Sequence, residues 1–215
     1  MALTLISSHN ITSAVSQLNI TSGLDDTYDI YEFHFYNLVT GTAWDGKMGW
    51  QVNAASGSNT SGYNQVIQST FNTLQHNEAD SNHAWNYNNS WDLSVAANIN
   101  RVDQSNEQYY QAMNRGQYSD TSGNDGYTAD GADYLVADGT SCGILRLYNP
   151  SNTSYMTNFE SIFTGMGGVK TTANIYTMTC RAAGYVNAEE ALDEISFKYH
   201  NGTWGSGTVY MYGVS

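Results

Sequence analysis

Hydrophobic and polar residues alternate along much of this chain, most clearly over Tyr28–Leu38, Tyr-Asp-Ile-Tyr-Glu-Phe-His-Phe-Tyr-Asn-Leu. Up to Phe35, Tyr28, Ile30, Glu32 and His34 fall on one face, and Asp29, Tyr31, Phe33 and Phe35 on the other. A period of two carried by aromatic and β-branched residues predicts a strand with one buried face. The turn-forming cluster Ser22-Gly23-Leu24-Asp25-Asp26 precedes it.

The same grammar predicts strands over Leu3–Ser8, Ser16–Thr21, Gly49–Asn53 and Gln65–Leu74. It resumes over Ser141–Tyr148, Met156–Thr164, Ala173–Tyr185, Glu194–His200 and Gly207–Val214. Ser22-Gly23, Gly41, Asp45-Gly46 and Gly57–Gly62 between them carry turn chemistry. About ten strands with turn signals between them predict an all-β protein. The expected fold is an antiparallel β-sandwich, jelly-roll-like, rather than a βαβ sheet. No repeat of fixed period points to a propeller or solenoid. Asn187-Ala-Glu-Glu-Ala-Leu-Asp is expected to form one helical turn, with Asn187 as cap and Glu189 and Glu190 near its N-terminus.

Tyr110–Thr140 departs from this pattern. It holds Gly116, Gly123, Gly126, Gly131 and Gly139 with five aspartates, and almost no aliphatic residue before Leu135. Such a stretch buries too little apolar area to offset the entropy of ordering it, at about 1–2 kcal/mol per residue. It reads as a loop insertion within one domain spanning residues 1–215. It is expected to reach a neighbouring subunit or partner through Tyr118, Tyr127, Tyr134 and Leu135, or to be mobile when the protein is isolated.

Composition narrows the function classes. Charged residues make up 13%, about half the usual share, while Tyr alone numbers 17. Solubility therefore rests on neutral polar groups, a composition frequent in extracellular β proteins and virion proteins. Twenty acidic against seven basic residues give a net charge of −13, which repels phosphate backbones and argues against nucleic acid and anionic membranes as partners. The N-terminus lacks a basic region followed by an apolar stretch, and with its retained Met it is expected to be used without Sec export. Cys142 and Cys180 lie in separate predicted strands with no metal-ligand spacing; they read as free thiols or as a disulfide between neighbouring strands.

Candidate chemistry is sparse. His76-Asn77-Glu78-Ala79-Asp80-Ser81-Asn82-His83 gathers two imidazoles and two carboxylates, but without metalloprotease spacing it reads as a polar loop between strands. Asp120, Asn124, Asp125, Asp130 and Asp133 lack the EF-hand order and read as solvated turns or a weak calcium site. Trp44, Trp50, Trp85, Trp91 and Trp204, with Tyr63, Tyr87, Tyr109 and Tyr110, suit a core, a protein interface or stacking platforms for sugar rings. There is no Gly-x-Ser-x-Gly elbow, P-loop or dinucleotide fingerprint, so no catalytic residue, metal or cofactor is expected.

Several segments together resemble a family of tailed-bacteriophage virion proteins, small β-rich capsid-decoration or tail-associated proteins common in marine phages. They are Thr21-Ser-Gly-Leu-Asp-Asp-Thr-Tyr-Asp-Ile-Tyr-Glu-Phe, Phe71–Ala79, Leu147-Tyr-Asn-Pro-Ser-Asn-Thr-Ser-Tyr, and Ala183-Gly-Tyr-Val-Asn through Glu194-Ile-Ser-Phe-Lys to Gly207–Ser215. The resemblance covers most of the chain outside the Gly/Asp-rich insertion, and no catalytic motif comes with it. It implies a non-enzymatic virion component, assembled in the host cytoplasm, with capsid or tail proteins of the same particle as partners. A homo-oligomer is expected. The competing expectation is a carbohydrate-binding, lectin-like module that meets host glycans.

Overall fold

A computed structural model describes residues 2–40, 48–57, 60–77, 83–87, 110–113, 140–169, 174–199 and 203–215. Among them there is no helix. The strands are β1 (Leu3–Ile11), β2 (Gln17–Ile20), β3 (Ile30–Thr40), β4 (Met48–Ala54), β5 (Ile67–Asn77) and β6 (His83–Tyr87). They continue with β7 (Gln111–Ala112), β8 (Ser141–Tyr148), β9 (Thr157–Val169), β10 (Asn174–Val186), β11 (Leu192–Tyr199) and β12 (Trp204–Val214). A wide sheet runs β1-β12-β3-β8-β9-β10-β5-β6, and a narrow one runs β2-β11-β4-β7. Every pairing is antiparallel, and the two sheets pack as a sandwich.

The alternation in β3 determines which face turns inward. Tyr31, Phe33 and Phe35 are buried, as are Val209 and Met211 of β12 and Leu145 and Leu147 of β8. Phe197 of β11 meets them from the narrow sheet, its ring centroid 5.5 Å from Phe33 and 5.0 Å from Phe35. Trp50 of β4 meets Phe159 of β9 at 4.9 Å. Edge-to-face contacts of this kind add to the area burial that drives the sheets together. Gly143 leaves room on β8 for the Phe163 ring, which a Cβ would meet at 2.5 Å.

Alternation breaks at Tyr36 for a local reason. Asn37 takes a positive φ of 50°, and the pairings of β3 shift register there. The extra residue of this bulge returns Leu38 to the core, where it is buried.

Two hairpins widen the sheet. β9 and β10 pair over thirteen residues each, and β10 continues onto β5, which pairs with β6. With these four strands set aside, β1-β12-β3-β8 faces β2-β11-β4-β7.

Two expectations are corrected. The Asn187–Asp193 stretch forms bends leading into β11 instead of a helical turn, because Leu192 is drawn into the core and pairs with Ala54. The insertion does not begin at Tyr110. Gln111–Ala112 pairs with Trp50 and Gly49, and Tyr110 and Met113 are buried in the core. The pairing supplies the order that the local composition lacks.

Candidate interaction face

In an all-β sandwich the outward face of each sheet is the surface offered to partners. The wide sheet presents β1, β12, β3, β8, β9, β10 and β5 side by side, so cross-strand register places their outer residues in rows. One row runs Leu5, Tyr212, Glu32, Arg146, Glu160, Ala183, Thr70; the next runs Ser8, Tyr210, His34, Ile144, Ile162, Arg181, Asn72. Five of the seven large hydrophobic side chains left exposed among the described residues, Leu3, Leu5, Tyr36, Leu74 and Ile162, stand on this face. The tyrosines cluster: Tyr36 lies 5.7 Å from Tyr210, and His34 lies 4.9 Å from Tyr212.

An ion-paired ladder crosses its centre. Arg146 donates from Nε to Glu32 at 2.5 Å and from Nη1 to Glu160 at 2.8 Å, while Tyr148 OH donates to Glu160 at 2.6 Å. Glu32 also lies 2.6 Å from His34 Nε2. Burial raises the Glu32 pKa, but hydrogen bonds from His34 and Arg146 outweigh it and hold the carboxyl below its ordinary value. Hydrogen bonds from Tyr148 and Arg146 lower Glu160 in the same way. Beside the ladder is an open depression of about 330 Å³ lined by Ile144, Arg146, Glu160, Ile162, Arg181 and Asn72.

Charge on this face is balanced. Its described residues carry two carboxylates, Glu32 and Glu160, and two guanidiniums, Arg146 and Arg181, in a chain whose totals are twenty acids and seven bases.

The outer face of the narrow sheet is different: polar, and closed over. Gln17 Nε2 donates to Ser196 Oγ at 2.6 Å and to Tyr110 OH at 3.1 Å, and Lys198 Nζ stands 4.7 Å from the centre of the Tyr110 ring. Burial pushes the Tyr110 hydroxyl up, against the lowering effect of its Ser196 and Gln17 partners. Asn53 Nδ2 and Tyr63 OH both donate to Glu194 Oε2 at 2.9 Å. Burial, then the Glu194 carboxylate, raises the Tyr63 pKa. These groups satisfy one another, so this layer holds β2, β11, β4 and β7 together.

The sequence-predicted candidates fall into three groups. Trp50 and Trp204 are buried, with indole N–H groups that find no acceptor among the described residues, so they act as core volume. Tyr110 and Tyr63 belong to the narrow-sheet layer. Tyr118, Tyr127, Tyr134 and Leu135 lie outside the described residues, as do Trp44, Trp91, Tyr109 and the whole Asp120–Asp133 set. His76 and His83, seven residues apart in the sequence, lie near the end of β5 and at the start of β6, and the β5–β6 register sets their Cα atoms directly opposite each other. Among the described residues no group of three His, Cys, Asp or Glu side chains is placed to hold a metal ion.

Cys142 and Cys180 do not form a disulfide with each other. β9 separates their strands, with Cys142 on the outer face and Cys180 buried in the core.

The outer-face cluster was only half legible. The alternation showed a second face on β3, but the neighbours of that face come from six other strands. No protein family, characterised protein or solved structure matches this chain, so the site is read from its own geometry.

Proposed function

We propose that this protein is a non-enzymatic structural component of a phage particle, which decorates or stabilises the capsid or forms part of the tail or fibre apparatus. Its partners on this reading are the major capsid or tail proteins of the same particle and further copies of itself. The observation that carries the reading is the outer face of the wide sheet, charge-balanced, tyrosine-rich and apolar within an otherwise acidic molecule. Interface cores are depleted in Lys, Glu and Asp and enriched in Tyr and Arg. An acidic chain can approach another acidic protein over such a patch without meeting its own repulsion. The strand order β1-β12-β3-β8 against β2-β11-β4-β7 supports the jelly-roll reading, with β5–β6 and β9–β10 as inserted hairpins. Many copies on a symmetric particle would let weak contacts add.

A second reading keeps one observation of its own. The depression beside Arg146 and Arg181 offers a guanidinium, a carboxylate and the Asn72 amide next to Ile144 and Ile162, groups that suit the hydroxyls and faces of a sugar ring. Jelly rolls serve capsid and lectin domains alike, so the fold does not choose between the two. Mass spectrometry of purified particles, paired with a glycan array, decides. The structural reading expects the protein in stoichiometric amount in the particle. Strong sugar binding with absence from particles reverses the ranking.

A further inference from the structure

We infer that β1 is a pairing edge for a second copy of this chain, so that two wide sheets join antiparallel, β1 to β1, across a twofold axis. The inference deepens the homo-oligomer part of the proposed function and rests on that part alone.

The two sheets end in four edge strands among the described residues. β2 has four residues, β6 five and β7 two, and such short edges offer little to an incoming strand. β1 has nine. Its sequence, Leu-Thr-Leu-Ile-Ser-Ser-His-Asn-Ile, holds no Lys, Arg, Asp, Glu or Pro, the residues with which natural edges are commonly blunted. One side of the strand pairs with β12 from Leu3 to Ile11 with a one-residue bulge at Ile6, and beyond the strand Ala2 and Ser215 exchange backbone hydrogen bonds at 2.9 and 3.2 Å. The edge is therefore held in extended form. Its other side pairs with no described strand. Leu3 and Leu5 stand at this border 51% and 53% exposed.

Charge argues for a second copy as the occupant. Copies that each carry −13 repel one another. Yet β1 and β12 contain no charged side chain, so the first charges on the sheet are on β3, two strands in. At about 4.8 Å per strand, Glu32 and its counterpart in the joined sheet are separated by five spacings, roughly 24 Å. That is about three Debye lengths at physiological salt, and the repulsion is screened. A twofold antiparallel pairing also satisfies both edges at once and leaves no new edge beside β1, as a closed dimer requires. An axis between Ile6 and Ser7 sets Leu3 and Leu5 of each copy opposite Asn10 and Ser8 of the other, which share their outward face, and so buries the exposed leucines.

Sedimentation equilibrium on the full chain tests this, on the wild type and on a Leu3→Lys/Leu5→Lys variant whose sites are exposed enough to leave the fold intact. The single variants serve as a second set, and circular dichroism checks the fold of each. The expected result is a wild-type dimer whose dissociation constant rises at least about ten-fold in the double variant, about 1.4 kcal/mol. A wild type that stays monomeric at roughly 100 μM, or a dimer indifferent to the lysines, overturns the pairing. Detection of the protein in purified particles is a separate readout, so failure of the edge pairing and failure of the structural role are told apart.

Discussion

Single residues show how this chain uses its tyrosines. Tyr31 is fully buried, yet its hydroxyl donates to Asp25 Oδ1 at 2.7 Å and accepts from the Asp25 N–H at 3.2 Å. The ring fills the core while the hydroxyl fastens the turn that leads into β3. Burial, then the hydrogen bond to the Asp25 carboxylate, pushes the phenol up to about 12. In Tyr31→Phe the packing remains and the turn is released, so the expected loss is about 1.5–3 kcal/mol, that of a hydrogen bond to a charged group. Urea titrations of the two proteins measure it; equal midpoints would mean the turn is held by its other contacts. The outward residues of the same strand were readable as a face, but not their roles. That Glu32 would meet Arg146, 114 positions away, depends on β3 and β8 being neighbours.

Among the elements, the β9–β10 hairpin gives the wide sheet its breadth, and it joins β5 at Gly184. A Cβ built on Gly184 would collide with the backbone carbonyl of Gln68 and come 2.7 Å from Ser69 Cα. Backbone cannot yield as a flexible side chain does, so Gly184→Ala is expected to cost about 1–3 kcal/mol. Thermal unfolding gives the measure, and hydrogen exchange places the damage: faster exchange should appear in β5 and β10 and not in β1 or β12. Uniform acceleration across both groups would contradict this assignment. Ten of the twelve described strands were legible from alternation and turn residues, Ser141–Tyr148 to the residue. β6 and β7 were not. β7 is two residues long and is a strand only because β4 lies beside it. β4 itself keeps its alternation although both its faces are buried, Trp50 and Val52 on one and Gln51 and Asn53 on the other.

For the whole molecule, pH sets two effects against each other. Falling pH neutralises carboxylates and relaxes the repulsion of −13 charges as the pI of 4.4 is approached. The ladder acts in the opposite sense. Glu32 and Glu160 are held below their ordinary 4.5, so their stabilisation is complete above that value and is lost as pH falls through the lower folded values. His9 adds a loss in a higher window, from about 6.5 downward, where it offsets the relief of repulsion, since burial lowers its pKa and the unfolded chain takes up its proton first. Asp193, raised by burial and then by Glu194, contributes the other way. The melting temperature is therefore expected to change little from pH 7 to about 5 and to drop below about 4.5, with a shallower drop in Arg146→Met, where the ladder is already broken. Melts from pH 7 to 3 check both; a level profile down to pH 3 would show that the ladder adds no net stability.

The sequence by itself determined the all-β class, most of the strands and the inward face of β3. These follow from a period of two and from turn residues, which act over neighbouring positions. It also determined the acidic, charge-poor surface, a matter of composition alone. The tertiary structure decided which strands are neighbours, and with that everything built across strands. Only the sheet order carries the Glu32–Arg146–Glu160 ladder, draws Tyr110 and Met113 out of an apparent loop into the core, and sets His76 opposite His83. Among the described residues it also leaves β1 at the edge of the wide sheet. The physical reason is that alternation tells a strand which face to bury but not which strand to lie beside; that choice is made by the packing of the two sheets as they close on a shared core.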